Sequence, residues 1–228
     1  MALILCLETA TDVCSVGLSQ DGRLVALQES EQGRDHASQI TLLIRKCADQ
    51  AGYRLKDLDA VAVSSGPGSY TSLRIGWSTA KGIAYASGIP LLSVDTLQAL
   101  AWGAASRVQQ DTAWYCALID ARRMEVYAGV YTADGKRISG PEALILDSGS
   151  FGYCLEAGRT AVFTGNGAAK FQPLCQEPNA LFLPLEASAA FFPALAEQAF
   201  ERGAFAEVAY SEPLYLKPPN ITKPKSLI

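Results

Sequence analysis

The most informative stretch of the sequence reads Val61-Ala62-Val63-Ser64-Ser65-Gly66-Pro67-Gly68-Ser69-Tyr70-Thr71. Its apolar start has the pattern of a buried strand. The two glycines around a proline then fix a tight turn into a helix that Ser69 or Thr71 can cap. Backbone N–H groups in such a loop can also bind a phosphate. Because glycine loops of this kind are common, the pattern favours a structural turn over a working phosphate site.

Three strands precede this stretch, and a helix lies on either side of it. Alternating or apolar runs predict the strands, and Asp21-Gly22 forms a hairpin turn between the second and third. The predicted order is βββαβα, with a further strand after the second helix. The predicted strands lie at residues 3–7, 13–19, 24–28, 61–64 and 91–94, and the predicted helices lie at 35–51 and 71–87.

The second half of the sequence repeats the first. Glu8 and Asp120 each follow an apolar strand pattern, and a glycine lies nine residues after each acid, at Gly17 and Gly129. The glycine loop quoted above has its own counterpart in Gly165-Asn166-Gly167, which also follows an apolar strand and precedes a helix-like segment. Internal duplication is the simplest explanation of both repeats.

Two βββαβα halves of this kind are the plan of the α/β proteins that include actin, the sugar kinases and the Hsp70-type ATPases. This likeness concerns the fold alone and does not settle the function. We predict two tandem half-domains at residues 1–106 and 107–216. A basic, proline-rich tail follows at residues 217–228, and its composition predicts an extended or disordered chain.

In this plan the two halves enclose a cleft at the strand ends. Glycine loops face phosphates there, and carboxylates hold a metal-bound phosphate or orient a water. The same residue types also cap turns, and we favour that structural role for both acids and both glycine loops. The sequence therefore predicts a degenerate nucleotide cleft whose residues are Glu8, Gly66, Gly68, Asp120, Gly165 and Gly167.

Composition and charge argue against several classes of function. A net charge of −4 is unsuited to binding nucleic acid alone, because such binding depends on clustered Lys and Arg.

The six cysteines form no CxxC pair, and this pattern is typical of buried hydrophobic residues. The only histidine, His36, lacks a ligand spacing or nucleophile nearby, so packing or capping is favoured and no metal site is predicted. Without a membrane-length apolar run or a signal peptide, a cytoplasmic location is expected.

The two predicted helices differ in their polar faces. Helix 35–51 carries one apolar stripe, as a core-facing helix does, whereas helix 71–87 is apolar nearly all round. Gly76, Ala80 and Ala84, at spacings of four, would let another helix approach closely. A sheet-covering helix normally keeps a polar outer face. Two interpretations of the second apolar face are therefore open, which are burial within the chain and contact with another chain.

Five segments of the sequence carry a resemblance to a known protein family. They are Leu7-Glu8-Thr9-Ala10-Thr11, the loop Ser65-Gly66-Pro67-Gly68-Ser69-Tyr70-Thr71, the helical Leu73-Arg74-Ile75-Gly76, Asp120-Ala121-Arg122 and Glu125-Val126-Tyr127. Together they resemble the TsaB (YeaZ) family. The resemblance covers nearly the whole chain and is most specific in the glycine loop and the helix after it.

The resemblance implies an actin-like protein that serves in bacterial synthesis of the threonylcarbamoyl modification on adenosine 37 of ANN-decoding tRNAs. It implies two partners, a TsaD-like catalytic paralogue and a TsaE-like ATPase, with tRNA bound indirectly. The paralogue carries an HxxxH metal pair, and sliding that pattern onto residues 90–100 places the ligands at Thr96 and Leu100. Neither side chain can replace an imidazole. The implied role is a non-catalytic subunit that binds no cofactor alone, with ATP and a metal in partner subunits.

The resemblance also suggests that the first two helices contact the catalytic paralogue, and that the same surface forms a homodimer when the chain is alone. No membrane partner is expected. A stand-alone actin-like ATPase or phosphotransferase using the cleft is an open rival. A peptidase would need a metal or nucleophile site that the sequence does not show. The predicted contact residues are His36, Ile40, Leu43, Arg74, Trp77, Ala80, Lys81 and Ala84.

Overall fold

The structure is a computed structural model that describes residues 2–30, 35–156 and 158–218. The predicted tail therefore lies outside the described residues from position 219 onward. The first half contains β1 (Leu3–Glu8), β2 (Ser15–Gln20), β3 (Arg23–Glu29), α1 (His36–Ala51), β4 (Ala60–Ser64), α2 (Tyr70–Ser87), β5 (Leu91–Val94) and α3 (Thr96–Val108).

The remaining elements follow in the same order, with shorter helices. They are β6 (Trp114–Asp120), β7 (Glu125–Thr132), β8 (Arg137–Ile145), α4 (Gly152–Leu155), β9 (Ala161–Thr164), α5 (Ala168–Phe171), β10 (Ala180–Leu183), α6 (Pro193–Glu201) and β11 (Phe205–Ala206). Within the described ranges, three single-turn 3₁₀ helices lie at Leu55–Asp57, Gln172–Leu174 and Ala189–Phe191.

Side-chain caps and glycines set the ends of the long helices. The side chains of Asp35, Ser69 and Asp95 accept hydrogen bonds from backbone N–H groups in the first turns of α1, α2 and α3. Gly52 and Gly88 end α1 and α2 with φ values of 74° and 65°, a left-handed conformation that glycine adopts without strain. Both helices begin within one residue of their predicted starts.

Apart from β11, the two sheets have the same strand order, which confirms the predicted plan. One sheet runs β11-β5-β4-β1-β2-β3, and the other runs β10-β9-β6-β7-β8. In each, the first strand of the half is antiparallel to the second and parallel to the strand after the first helix. The chain is therefore an α/β protein with two related halves of the actin-like fold.

The apolar core is arranged in layers on both sides of the sheets. Along β1, Leu3, Leu5 and Leu7 face the layer under α1 and α2, whereas Ile4 and Cys6 face the layer between the sheets. This alternation follows from the two-residue period of a strand. The inner layer also contains α3 and α6, and α4 and α5 cover the outer face of the second sheet.

Residues 189–206 return to the first half after the second sheet is complete. Strand β11 pairs antiparallel with β5, and α6 packs against β5 and β1. The predicted division at residue 106 assigns this whole segment to the second half, so its packing departs from that division. Residue 106 itself lies in the last turn of α3. Residues 189–206 return to the first half because the inner face of the first sheet needs an apolar cover, which Phe192 and Ala196 help to provide.

None of the helices in the described ranges is both long enough and apolar enough to span a membrane.

Candidate functional site

A cleft of about 720 Å³ lies between the two halves. The first half contributes the turn after β1 and the start of α2, and the second contributes the β6–β7 turn and Asn166. Residues 214–218 also line it. Of the six predicted cleft residues, Gly68 and Asp120 line this cavity. The other four, Glu8, Gly66, Gly165 and Gly167, are buried behind its walls.

The first glycine loop is hydrogen-bonded to the chain's own backbone and side chains. The Gly66 N–H donates to the Thr96 hydroxyl at 3.1 Å, and the Thr96 N–H donates back to the Gly66 carbonyl at 3.2 Å. The Ser69 N–H donates to the Ala10 carbonyl at 2.7 Å. A Cβ on Gly68 would overlap the same carbonyl oxygen. These glycines allow close packing of the loop against the turn after β1.

The second glycine loop has the same kind of internal bonding. The Gly167 N–H donates to the Leu118 carbonyl at 3.0 Å, and the Ala168 N–H donates to the Gly165 carbonyl at 3.0 Å. Gly165 has a φ of +98°, and a Cβ there would overlap the Leu118 oxygen. The second glycine pair is therefore also explained by close packing within the chain.

Asp120 is held by groups of its own half. Its carboxylate forms an ion pair with Lys170 and accepts a hydrogen bond of 2.6 Å from the Arg122 N–H. The Asp120 N–H donates to the Asn166 side-chain oxygen at 2.9 Å. The carboxylate thus joins the β6–β7 turn to the start of α5, as a turn-capping residue does.

Glu8 is buried at the end of β1, beneath the first glycine loop. One carboxyl oxygen accepts a hydrogen bond of 2.6 Å from the Ala10 N–H, and the other has no hydrogen-bond partner. Burial raises the pKa of Glu8 to about 7, although the hydrogen bond from the Ala10 N–H opposes this shift. Near neutral pH this side chain exists as a mixture of the acid and the carboxylate.

The raised pKa of Glu8 predicts a specific pH dependence of stability. Because the folded state holds this proton more tightly than the unfolded chain, the free energy of unfolding should fall as the pH rises from about 5 to 8. We expect Glu8→Gln to reduce that fall by about 2 kcal/mol, since it removes the titration and keeps the acceptor oxygen. Urea unfolding of both proteins at pH 5 and pH 8 measures the difference.

Glu142→Gln, at an exposed position of β8, is the matched control and should leave the pH dependence unchanged. Equal pH dependence in the wild type and Glu8→Gln would contradict the raised pKa.

The two positions that match the HxxxH ligands are part of the core. Thr96 is fully buried and bonds the first glycine loop as described above. Leu100 is 1% exposed, lies in the inner core and contacts the second glycine loop close to Gly165. Across the described ranges, no three His, Cys, Asp or Glu side chains form a group that could hold a metal ion.

Six of the eight predicted contact residues are buried within the chain. Helices α1 and α2 pack on the first sheet, and these side chains are not available to a partner in this conformation. Trp77 also donates its indole N–H to the Ser64 carbonyl at 3.0 Å. The prediction is corrected for these six residues, which are His36, Ile40, Leu43, Trp77, Ala80 and Ala84.

The outer face of α2 carries a different set of residues. Arg74 lies on it, and Lys81 is half-buried at its margin. Ser78, Gly82 and Ala86 form an exposed stripe of small residues at spacings of four. A second stripe of small residues with the same spacing, Gly76, Ala80 and Ala84, is also visible in the sequence. That second stripe packs on the sheet because it lies on the side of α2 that carries the buried Leu73 and Trp77.

Two large apolar side chains are exposed on the same helical layer. Tyr85 of α2 is 83% exposed, and Leu42 of α1 is 52% exposed. We call the set Leu42, Arg74, Ser78, Gly82, Tyr85 and Ala86 the outer surface of α1 and α2.

The repeated sheets and the cleft between them define a two-half protein with the actin-like ATPase fold. A model of the family described as TsaD, tRNA N6-adenosine threonylcarbamoyltransferase, matches residues 27–211. The chain belongs to the TsaB (YeaZ) family, as its similarity to individual proteins shows.

Three relatives illustrate this similarity. The Escherichia coli protein named tRNA threonylcarbamoyladenosine biosynthesis protein TsaB is 32% identical, over 94% of each chain. The protein of the same name from Haemophilus influenzae is 36% identical, over 54% of this chain and 51% of its own. The structure of YeaZ from Pseudomonas aeruginosa is 30% identical with a TM-score of 0.79, over 95% of this chain and all of that one.

Proposed function

We propose that this chain is a non-catalytic subunit in the synthesis of threonylcarbamoyladenosine on tRNA. Its role is to bind a TsaD-like catalytic paralogue and to hold that paralogue in an active conformation. The names of its relatives support the pathway. The subunit role rests on the geometry of the cleft and of the outer surface of α1 and α2.

The bonding of the cleft is the observation that carries the proposal. An actin-like enzyme needs loop N–H groups and carboxylates that are free to face a nucleotide and its metal. Here Gly66, Ser69 and Gly167 donate their N–H groups within the chain, and Asp120 is paired with Lys170. Glu8 is buried and holds a proton more tightly than usual. These groups support a cleft with a structural role.

The outer surface supports docking against another helix pair. Small residues at spacings of four let a second helix approach closely, and exposed Leu42 of α1 and Tyr85 of α2 offer apolar area on the two helices. The same surface would form a homodimer when the paralogue is absent. We further propose that a TsaE-like ATPase joins the complex, that ATP and a metal bind in these partners, and that the assembly works in the cytoplasm.

The tRNA would contact the complex mainly through the other subunits. A chain with a net charge of −4 has little electrostatic attraction for RNA, because affinity for the phosphate backbone comes from clustered cations.

The decisive experiment is threonylcarbamoyl transfer to tRNA by the purified paralogue and ATPase, with and without this chain. Transfer that depends on this chain, while the chain alone turns over no nucleotide, supports the subunit role. Transfer that proceeds equally without the chain contradicts it.

A nucleotide-dependent enzyme is the second candidate, and one observation favours it. The Thr11 hydroxyl is buried without a hydrogen-bond partner in a residue that lines the cleft, close to the start of α2. A helix N-terminus and a free hydroxyl are groups that can bind a phosphate. Nucleotide hydrolysis by the isolated chain, lost in Thr11→Val, would establish this candidate in place of the subunit role.

A further inference from the structure

The C-terminal segment of the described chain crosses the cleft. Its first anchor is on the glycine loop of the first half, where the Leu214 N–H donates to the Ser65 carbonyl at 2.7 Å. The contact is close, because a Cβ on Gly66 would lie 2.9 Å from the Leu214 carbonyl oxygen. The segment therefore lies directly on the loop.

A second anchor fixes the segment to α2. The rings of Tyr215 and Tyr70 are 4.6 Å apart, centroid to centroid. The Arg74 guanidinium lies 4.5 Å from the centroid of the Tyr70 ring. Ring packing stabilises the contact with Tyr215 modestly, and the Arg74 cation lies over the ring of Tyr70, its partner in α2.

The third anchor is in the second half. Lys217 forms an ion pair with Glu125 at the start of β7. The Glu125 side chain is only 20% exposed, so solvent screens this pair less than it would a fully exposed one. Between the anchors, residues 214–218 line the cleft itself. The segment is thus tied to the first half at two places and to the second half at one.

We propose that residues 214–218 are a strap that fastens the two halves together across the cleft and limits how far the cleft opens. Halves of a two-domain protein move relative to each other unless their contacts prevent it. Three anchors placed at the cleft oppose a separation that would expose the glycine loop and the β6–β7 turn. Release of the strap is then a step through which cleft opening can be controlled. The proposal does not depend on the proposed function.

Hydrogen exchange on the full-length chain tests the strap. The variant Tyr215→Ala/Lys217→Met removes the ring contact and the charge but leaves the rest of the chain intact. We expect amides of residues 65–72 and 119–127 to exchange roughly tenfold faster, because opening of the cleft becomes more frequent. Lys136→Met, at an exposed position of the second half, is the control and should match the wild type.

Two results would overturn the proposal. One is unchanged exchange at residues 119–127 in the folded double variant. The other is equally faster exchange in the central strands β1 and β4, because the segment would then stabilise the whole fold. If the double variant does not fold, Lys217→Met alone should still give about threefold faster exchange at residues 119–127, and no change there would overturn the strap.

Discussion

Gly76→Ala is expected to lower the free energy of unfolding by about 3 kcal/mol, because α2 packs against the end of β1 with no space for a side chain. A Cβ at this position would overlap the Thr9 hydroxyl oxygen and lie 3.1 and 3.2 Å from the other two Thr9 side-chain atoms. Thr9 is fully buried, so rotation of its side chain cannot relieve all three contacts.

The matched control lies on the same helix. Gly82 is exposed in the interior of α2, and a Cβ there meets nothing within 4 Å. Gly82→Ala should therefore stabilise the chain by about 0.5–1 kcal/mol, since alanine loses less conformational entropy in a helix. Urea unfolding of the two variants and the wild type should give changes of opposite sign. A Gly76→Ala protein as stable as the wild type would contradict the close packing.

Gly82→Arg is expected to weaken binding of the catalytic paralogue at least about a hundredfold. The arginine should leave the fold intact, because the site is open and arginine favours helices, but it would prevent another helix from approaching α2 closely. Titration calorimetry with the purified paralogue measures the dissociation constant, and threonylcarbamoyl transfer should fall in parallel.

Ile145→Arg provides the control for the binding experiment. Ile145 is 73% exposed on β8 in the second half, away from α2, and its replacement should leave binding unchanged. A substitution at Ala80 would not serve the purpose, because Ala80 is fully buried and a charge there would disrupt the fold. Full binding by Gly82→Arg would show that the contact lies elsewhere on the chain.

The fold could be predicted because its signals are local and repeated. The alternation of Leu3, Leu5 and Leu7 defines a strand, and the spacing of Glu8 and Gly17 recurs at Asp120 and Gly129. Each of these patterns involves residues that are close together in the sequence, so it does not depend on contacts made elsewhere in the chain. The element order and the likeness of the halves were therefore accessible from the sequence.

The sequence did not predict which face of α2 packs on the sheet. Its wheel has two low-profile faces, one with Gly76 and Ala80 and another with Ser78 and Gly82, and helical periodicity alone does not say which meets the sheet. The sheet receives the face with the larger apolar area, which includes Trp77. The predicted residues Trp77, Ala80 and Ala84 therefore lie on the side of α2 that packs on the sheet, and the contact of α2 with a partner stays a prediction.

The state of the cleft also depends on contacts that the sequence does not reveal. A glycine loop has the same local pattern whether its N–H groups face a phosphate or a carbonyl such as that of Ala10. The contacts of Tyr215 and Lys217 join residues far apart in the sequence, and no periodic pattern marks them. The structure was needed for both.

The return of residues 189–206 to the first sheet has a consequence for how the chain is made. The ribosome delivers this segment after every strand of the second sheet, yet it supplies β11 beside β5 and apolar cover for β1. The N-terminal half is thus synthesised first but cannot finish folding until this segment has been added. Nascent chains that end before residue 189 should keep an unpaired strand edge and uncovered apolar surface, and should therefore be prone to aggregation and dependent on chaperones.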